Sequence, residues 1–182
     1  MKATGIVRRI DELGRIVIPK EIRRTLRIKE GDPLEIFTNR DGELILKKYS
    51  PINELEEVAQ AAAKALAEST GHIVLISDKD TIVAGEGITK SDFIGKAVSS
   101  ALDEVMASRE HILLNAADSE IMPLKSDDAV DEYVAEVIVP IVSDGAVIGS
   151  VILACVKQGV VFTETEKRLA EVAALFLSKQ SE

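Results

Sequence analysis

The first fifty residues alternate between apolar and polar positions with a period of two. In residues 5–10, Ile6, Arg8 and Ile10 fall on one side of an extended chain, and Val7 and Arg9 fall on the other. Ile16 and Ile18 oppose Val17 in the same way. Residues 5–10 and 15–18 therefore read as paired strands around the turn Asp11-Glu12-Leu13-Gly14. Pro19 suits the first position of a short helix over residues 20–26. After the break Gly31-Asp32-Pro33, residues 34–37 and 44–46 predict a second strand pair, with Asp41-Gly42 in its turn. A unit of two hairpins and one short helix is near the lower limit for a self-sufficient core. Two copies that interleave their hairpins would close both apolar faces, so an obligate dimer is expected.

Beyond residue 50 the period changes. Ser50-Pro51 opens a helix in which Ile52, Leu55, Ala59, Ala62 and Leu66 recur at spacings of 3, 4, 3 and 4. That is an a/d seam of about two heptads. Either it relays a dimer axis between domains or it is an ordinary amphipathic face packed on its own domain. Residues 72–76 and 81–84 read as strands joined by Ser77-Asp78-Lys79-Asp80. A helical stretch over 91–107 and a short apolar piece at 112–114 follow. Residues 134–142 and 146–156 are β-rich runs that meet at Ser143-Asp144-Gly145, an antiparallel hairpin. A last helix starts at Thr163, with Glu166 completing a capping box and Leu169, Val172, Ala173 and Phe176 marking its buried face. The order describes an α+β domain with an antiparallel sheet. The expected organisation is a first domain over 1–50, a junction over 51–56 and a second domain over 53–182.

Charge changes the picture. Residues 1–50 hold 12 Lys/Arg against 8 Asp/Glu, a formal +4, whereas residues 51–182 hold 10 against 23, a formal −13. The whole-chain value of −9 hides a small basic unit in front of a larger acidic one. Arg8 and Arg9 lie in the first strand, Arg15 just after its turn, and Arg23 and Arg24 on the short helix, with Lys2 and Lys20 nearby. A two-fold dimer would present this set twice, and the guanidinium fork suits both phosphate oxygens and the guanine edge. Pairing of some of these arginines with Asp11, Glu12 or Glu21 is the alternative. With no Trp, two Tyr and four Phe, the chain has few platforms for stacking single-stranded bases, so duplex DNA is the expected partner. The acidic second domain should be held away from that duplex.

The residues also carry a resemblance. The run from Met1 through Gly5-Ile6-Val7-Arg8-Arg9-Ile10-Asp11-Glu12-Leu13-Gly14-Arg15 to Pro19, continued by Glu21-Ile22-Arg23-Arg24-Thr25-Leu26 and Leu44-Ile45-Leu46-Lys47-Lys48-Tyr49, resembles the AbrB family of transition-state regulators. That resemblance implies a swapped-hairpin dimeric β-barrel that binds DNA through Arg8, Arg15, Arg23 and Arg24, tolerates many operator sequences, and can activate or repress. The same hairpin fold also serves antitoxins that bind a toxin, an alternative weakened here by the folded-looking second domain. Residues 137–142 and 147–153, ending in Phe162-Thr163-Glu164-Thr165-Glu166, resemble a GAF domain over roughly 53–180. This implies a small-molecule effector held against the sheet and pairing of terminal helices into a tetramer. No polar set selects a nucleotide, haem or amino acid, and no cofactor is expected.

Catalytic chemistry finds no foothold. Gly85-Glu86-Gly87-Ile88-Thr89-Lys90-Ser91 lacks Gly immediately before its Lys, and Gly95-Lys96 is followed by Ala97, so both fail the phosphate-loop pattern. His72 and His111 stand at strand starts without metal-spaced partners. Asp127, Asp128, Asp131 and Glu132 lack the spacing of a hard-cation loop. The single Cys155 lies in an apolar run, which favours a buried, inert thiol and fits a reducing cytoplasm. Apolar stretches are too short for a membrane span, and Arg8 and Arg9 precede any signal-peptide core. The expectation is a cytoplasmic, nucleoid-associated, non-enzymatic regulator.

Overall fold

The computed structural model describes residues 5–87, 90–126 and 133–181. Lys2 and the acidic run Asp127, Asp128, Asp131 and Glu132 lie outside the described residues. The chain divides into two compact units, Met1–Tyr49 and Ser50–Glu182.

In the first unit, helix α1 (Lys20–Thr25) precedes an antiparallel hairpin of β1 (Leu34–Thr38) and β2 (Leu44–Lys48). Pro19 is the residue just before α1 (φ −57°, ψ 145°), one position earlier than expected. Between β1 and β2, Asn39 closes the turn by accepting from Asp41 and Glu43 through its side chain, while Gly42 takes φ +78°. The first predicted strand pair is corrected. Residues 5–10 and 15–18 form no ladder, and the pair is reduced to its turn, closed by Asp11 N–H to Arg15 C=O (3.0 Å) and Gly14 N–H to Asp11 C=O (3.0 Å). Val7 is 85% exposed and Ile10, Leu13 and Val17 are also exposed, and a two-stranded hairpin with nothing against its apolar face is marginal in water.

The second unit is built on a five-stranded antiparallel sheet ordered β4-β3-β7-β6-β5. Its strands are β3 (Ile73–Ser77), β4 (Ile82–Glu86), β5 (Ile112–Asn115), β6 (Ala135–Ser143) and β7 (Ala146–Cys155). Both faces are covered, which explains why β6 and β7 read as nearly continuous apolar runs. Val137, Val139 and Ile141 point to one layer, and Ile138 and Ile152 to the other. The β6–β7 turn places Asp144 and Gly145 at φ +48° and +74°, the left-handed pair that a tight hairpin requires.

Ser50 caps α2 (Pro51–Glu54) through Asn53 N–H, and the chain re-enters helix as α3 (Glu56–Thr70) after Leu55. Three positions of the a/d seam serve the domain's own core. Ile52, Ala59 and Leu66 are buried against the sheet, where α3 packs on β3 and β4. The helical stretch predicted over 91–107 is two helices, α4 (Lys90–Phe93) and α5 (Ser100–Ser108). Gly95 at φ +77° donates to Ile82 C=O and interrupts the helix before Ser99 caps α5. Helix α6 (Glu164–Gln180) lies across β6 and β7 on the α3 face. Its start is fixed twice. Thr163 and Glu166 form the capping box, and buried Asn115 clasps the Phe162 backbone through both N–H (2.8 Å) and C=O (3.0 Å). His72 packs against the Phe162 ring with centroids 4.6 Å apart and the planes tilted by 52°.

Candidate nucleic-acid interface

The described residues among the candidate DNA-binding cations fall on three local frames. Arg8 and Arg9 are on the arm before the turn, and Arg15 follows the turn. Lys20, Arg23 and Arg24 are on α1, where the two arginines occupy the last turn and complement its negative end. Arg8, Arg9, Arg15, Lys20 and Arg24 are exposed and Arg23 is half-buried. Among the described residues none of Arg8, Arg9, Lys20, Arg23 or Arg24 has an acidic partner. Cations left in water in this way keep their charge available for phosphate oxygens.

Arg15 differs. Its Nε donates to Asp11 Oδ2 at 2.8 Å, and its backbone N–H donates to Asp11 Oδ1 at 2.8 Å. Leu13 N–H donates to the same Oδ1 at 3.0 Å. Hydrogen bonds from Arg15, backbone and then side chain, hold the Asp11 carboxyl below its ordinary value. Of the arginines weighed as structural pairs, this is the one that pairs.

Cations of the β1–β2 hairpin are used within the fold. Lys48 Nζ donates to Arg27 C=O (2.7 Å) and approaches Asp32 (3.6 Å), and Lys47 sits 4.8 Å from the Phe37 ring centre.

In the second unit, α6 corrects one expectation. Its buried residues are Ala170, Ala173, Ala174, Leu177 and Ser178, whereas Val172 is 67% and Phe176 47% exposed. The stripe of Leu169, Val172 and Phe176 instead forms one wall of a groove whose other wall is Val58, Ala62 and Ala65 of α3. The groove has a volume of about 690 Å³. Periodicity alone could not separate two apolar stripes on one helix, because small alanines made the inner stripe look weaker than the outer one. The opposite sheet face is filled by side chains that include Leu75, Leu102, Met106 and Ile138. Buried among the strands, the Ser77 and Ser150 hydroxyls meet at 2.7 Å, and Glu136 accepts from Met122 N–H at 3.2 Å. Cys155 is buried. Among the described residues no group of His, Cys, Asp and Glu is arranged to hold a metal, and no helix is long and apolar enough to cross a membrane.

Some known proteins resemble one part of the chain and some the other. The family described as antidote-toxin recognition MazE, bacterial antitoxin, matches residues 7–54. The transition state regulatory protein AbrB of Bacillus subtilis (strain 168) is 49% identical over 75 residues, 41% of this chain and 77% of that protein. The second unit shares its fold with the GAF domain of an Acinetobacter phosphoenolpyruvate-protein phosphotransferase, with a TM-score of 0.58 at 15% identity over 70% of this chain and 81% of that one. An AbrB-like head on a GAF-fold body defines a two-unit transcription factor. The family described as stage V sporulation protein T C-terminal, transcription factor, matches residues 54–182. Stage V sporulation protein T of Bacillus subtilis (strain 168) is 50% identical over 182 residues, 100% of this chain and 99% of that protein. The chain belongs to the stage V sporulation protein T family of sporulation transcription factors. Similarity over the whole length favours the regulator over the antitoxin alternative, which rests on the hairpin module alone.

Proposed function

We propose that residues 1–50 bind duplex DNA as an interleaved dimer, with Arg8, Arg9, Arg15, Arg23 and Arg24, aided by Lys2 and Lys20, as the binding surface. The observation that carries this reading is that Arg8, Arg9, Lys20 and Arg24 are exposed with no acidic partner in a unit whose arm is apolar and open to water. An arm carrying exposed Val7, Ile10, Leu13 and Val17 gains most by pairing with a second copy, which would supply the missing strands and double the basic surface. Contacts of this kind fix position through phosphates and leave sequence to be read through DNA shape, in keeping with a regulator that tolerates varied operators. The GAF-fold unit is the regulatory and assembly part. Its α3–α6 groove joins two dimers into a tetramer, since the stripe around Phe176 is too apolar to be left in water and the alanines of α3 offer a trough of matching chemistry.

The test is a salt titration of binding to a duplex operator. With only Arg8, Arg15, Arg23 and Arg24 of each chain on phosphates, eight contacts per dimer give a loss of about three to five decades in affinity between 50 and 200 mM salt. A flat response would overturn the reading. Replacing Arg23 and Arg24 with Ala should abolish binding at 150 mM salt while circular dichroism and the mass of the assembly stay as in the wild type.

A further inference from the structure

Asp11 is an acidic residue between Arg9 and Arg15 in the chain, four positions from the arginine it touches. On electrostatic grounds alone it should weaken binding, since it sets a negative charge beside the phosphate backbone. The geometry points to another role. We infer that Asp11 is a positioning residue, which holds the Arg15 guanidinium by its Nε so that its terminal fork is presented to DNA; this rests on the proposed role of Arg15 in binding.

The carboxylate is itself well fixed. Oδ1 accepts from the backbone of Leu13 (3.0 Å) and of Arg15 (2.8 Å), and Asp11 N–H donates to Arg15 C=O (3.0 Å). Asp11 and Arg15 therefore clasp each other through the main chain before any side-chain contact is counted. Gly14 at φ +75° closes the loop between them. Oδ2 then points at Arg15 Nε from a fixed base, at 2.8 Å. A lone exposed ion pair would be worth little, because two flexible side chains must be ordered to form it. Here one partner is ordered already, so the bond mainly restricts the other. The bond is made at Nε, which leaves the two terminal nitrogens free to engage two phosphate oxygens, or O6 and N7 of guanine, together. Their ordering cost is met in the free protein, not at the moment of binding.

Charge and position predict opposite signs, which makes the idea testable. Asp11→Asn keeps an oxygen for the two backbone N–H groups, and Asn supports this kind of turn. It replaces Oδ2 with an NH₂ that cannot accept from Nε, and it removes the negative charge. Dissociation constants for a duplex operator at 50 mM salt would be measured for the wild-type full chain, D11N, R15A and the double variant. The expected result is that D11N binds about 3- to 10-fold more weakly than wild type, the range set by freeing one long side chain. In the R15A background the same change should have no effect or tighten binding. D11N binding as well as or better than wild type would overturn the inference, and so would an equal loss with and without Arg15, which marks a purely structural turn. R15A binding like wild type would instead overturn Arg15 as a DNA contact, and the positioning role with it. A second readout needs no variant to fold. The Arg15 Nε–H of the free ¹⁵N-labelled protein should be protected from exchange relative to that of Arg24, and an unprotected signal would refute the clasp.

Discussion

Glu171 is reached from two directions. His111 Nδ1, at the start of the edge strand, lies 2.9 Å from one oxygen, and Arg168 donates to the other at 2.8 Å from one turn earlier on α6. The hydrogen bond with His111 is the larger cause, and the Arg168 charge adds to it, in holding the Glu171 carboxyl below its ordinary value. A carboxyl lowered on folding stabilises the native state above its unfolded pKa of about 4.3, and that contribution is lost as pH falls through the lower folded value. Glu171→Gln should therefore lower the thermal midpoint at pH 7, with the gap to wild type closing as pH falls below about 4. Thermal melts at pH 7, 5 and 3 check this, and a gap that is constant in pH would contradict it. None of this contact was legible in the sequence, since residues 111 and 171 meet only through the packing of α6 on the sheet. The Thr163–Glu166 box was legible because its partners are three residues apart. The Asp11–Arg15 pair was visible as a possibility for the same reason.

Elements were readable where the local signal was strong and misread where small residues or absent partners decided. The β6–β7 hairpin stands close to its expected bounds because nine or ten β-rich residues flank a turn that contains Asp-Gly. The helix predicted over 91–107 broke at Gly95, a residue whose cost in a helix is modest enough for tertiary bonds to override. Gly149 on β7 shows a constraint that periodicity cannot reveal. A Cβ there would stand 2.0 Å from the backbone oxygen of Ser77 and 3.2 Å from Asp78 Cα, so β3 and β7 approach closely because this residue has no side chain. Backbone cannot step aside as a flexible side chain can. Gly149→Ala should cost about 3 kcal/mol or more, the upper end of overpacking, and lower the melting temperature of the second unit by roughly 6–12 °C. A shift under about 2 °C in calorimetry would mean that the strands relax apart with little loss.

At the scale of the molecule, charge and exposed apolar surface say complementary things. The basic excess is confined to the first unit, and that unit leaves Val7 and its neighbours in water. The acidic excess belongs to a second unit that buries its own core on both sheet faces yet keeps Val172, Leu175 and Phe176 exposed on α6. Each unit is thus incomplete on one apolar surface. If the two surfaces are satisfied independently, the arm by one copy and the α3–α6 groove by another, the assembly has four chains. Light scattering at micromolar concentration should then give a mass near four times 19.7 kDa. Phe176→Glu places a charge among the apolar side chains that line the groove and should halve that mass. Because the arm is untouched, the halved species should bind a single operator with an affinity within about twofold of the wild type, and lose only the gain from bridging two operators on one DNA. A wild-type mass of two chains would remove the groove as an interface. A Phe176→Glu protein that falls to single chains would show that the groove, not the arm, holds the dimer together.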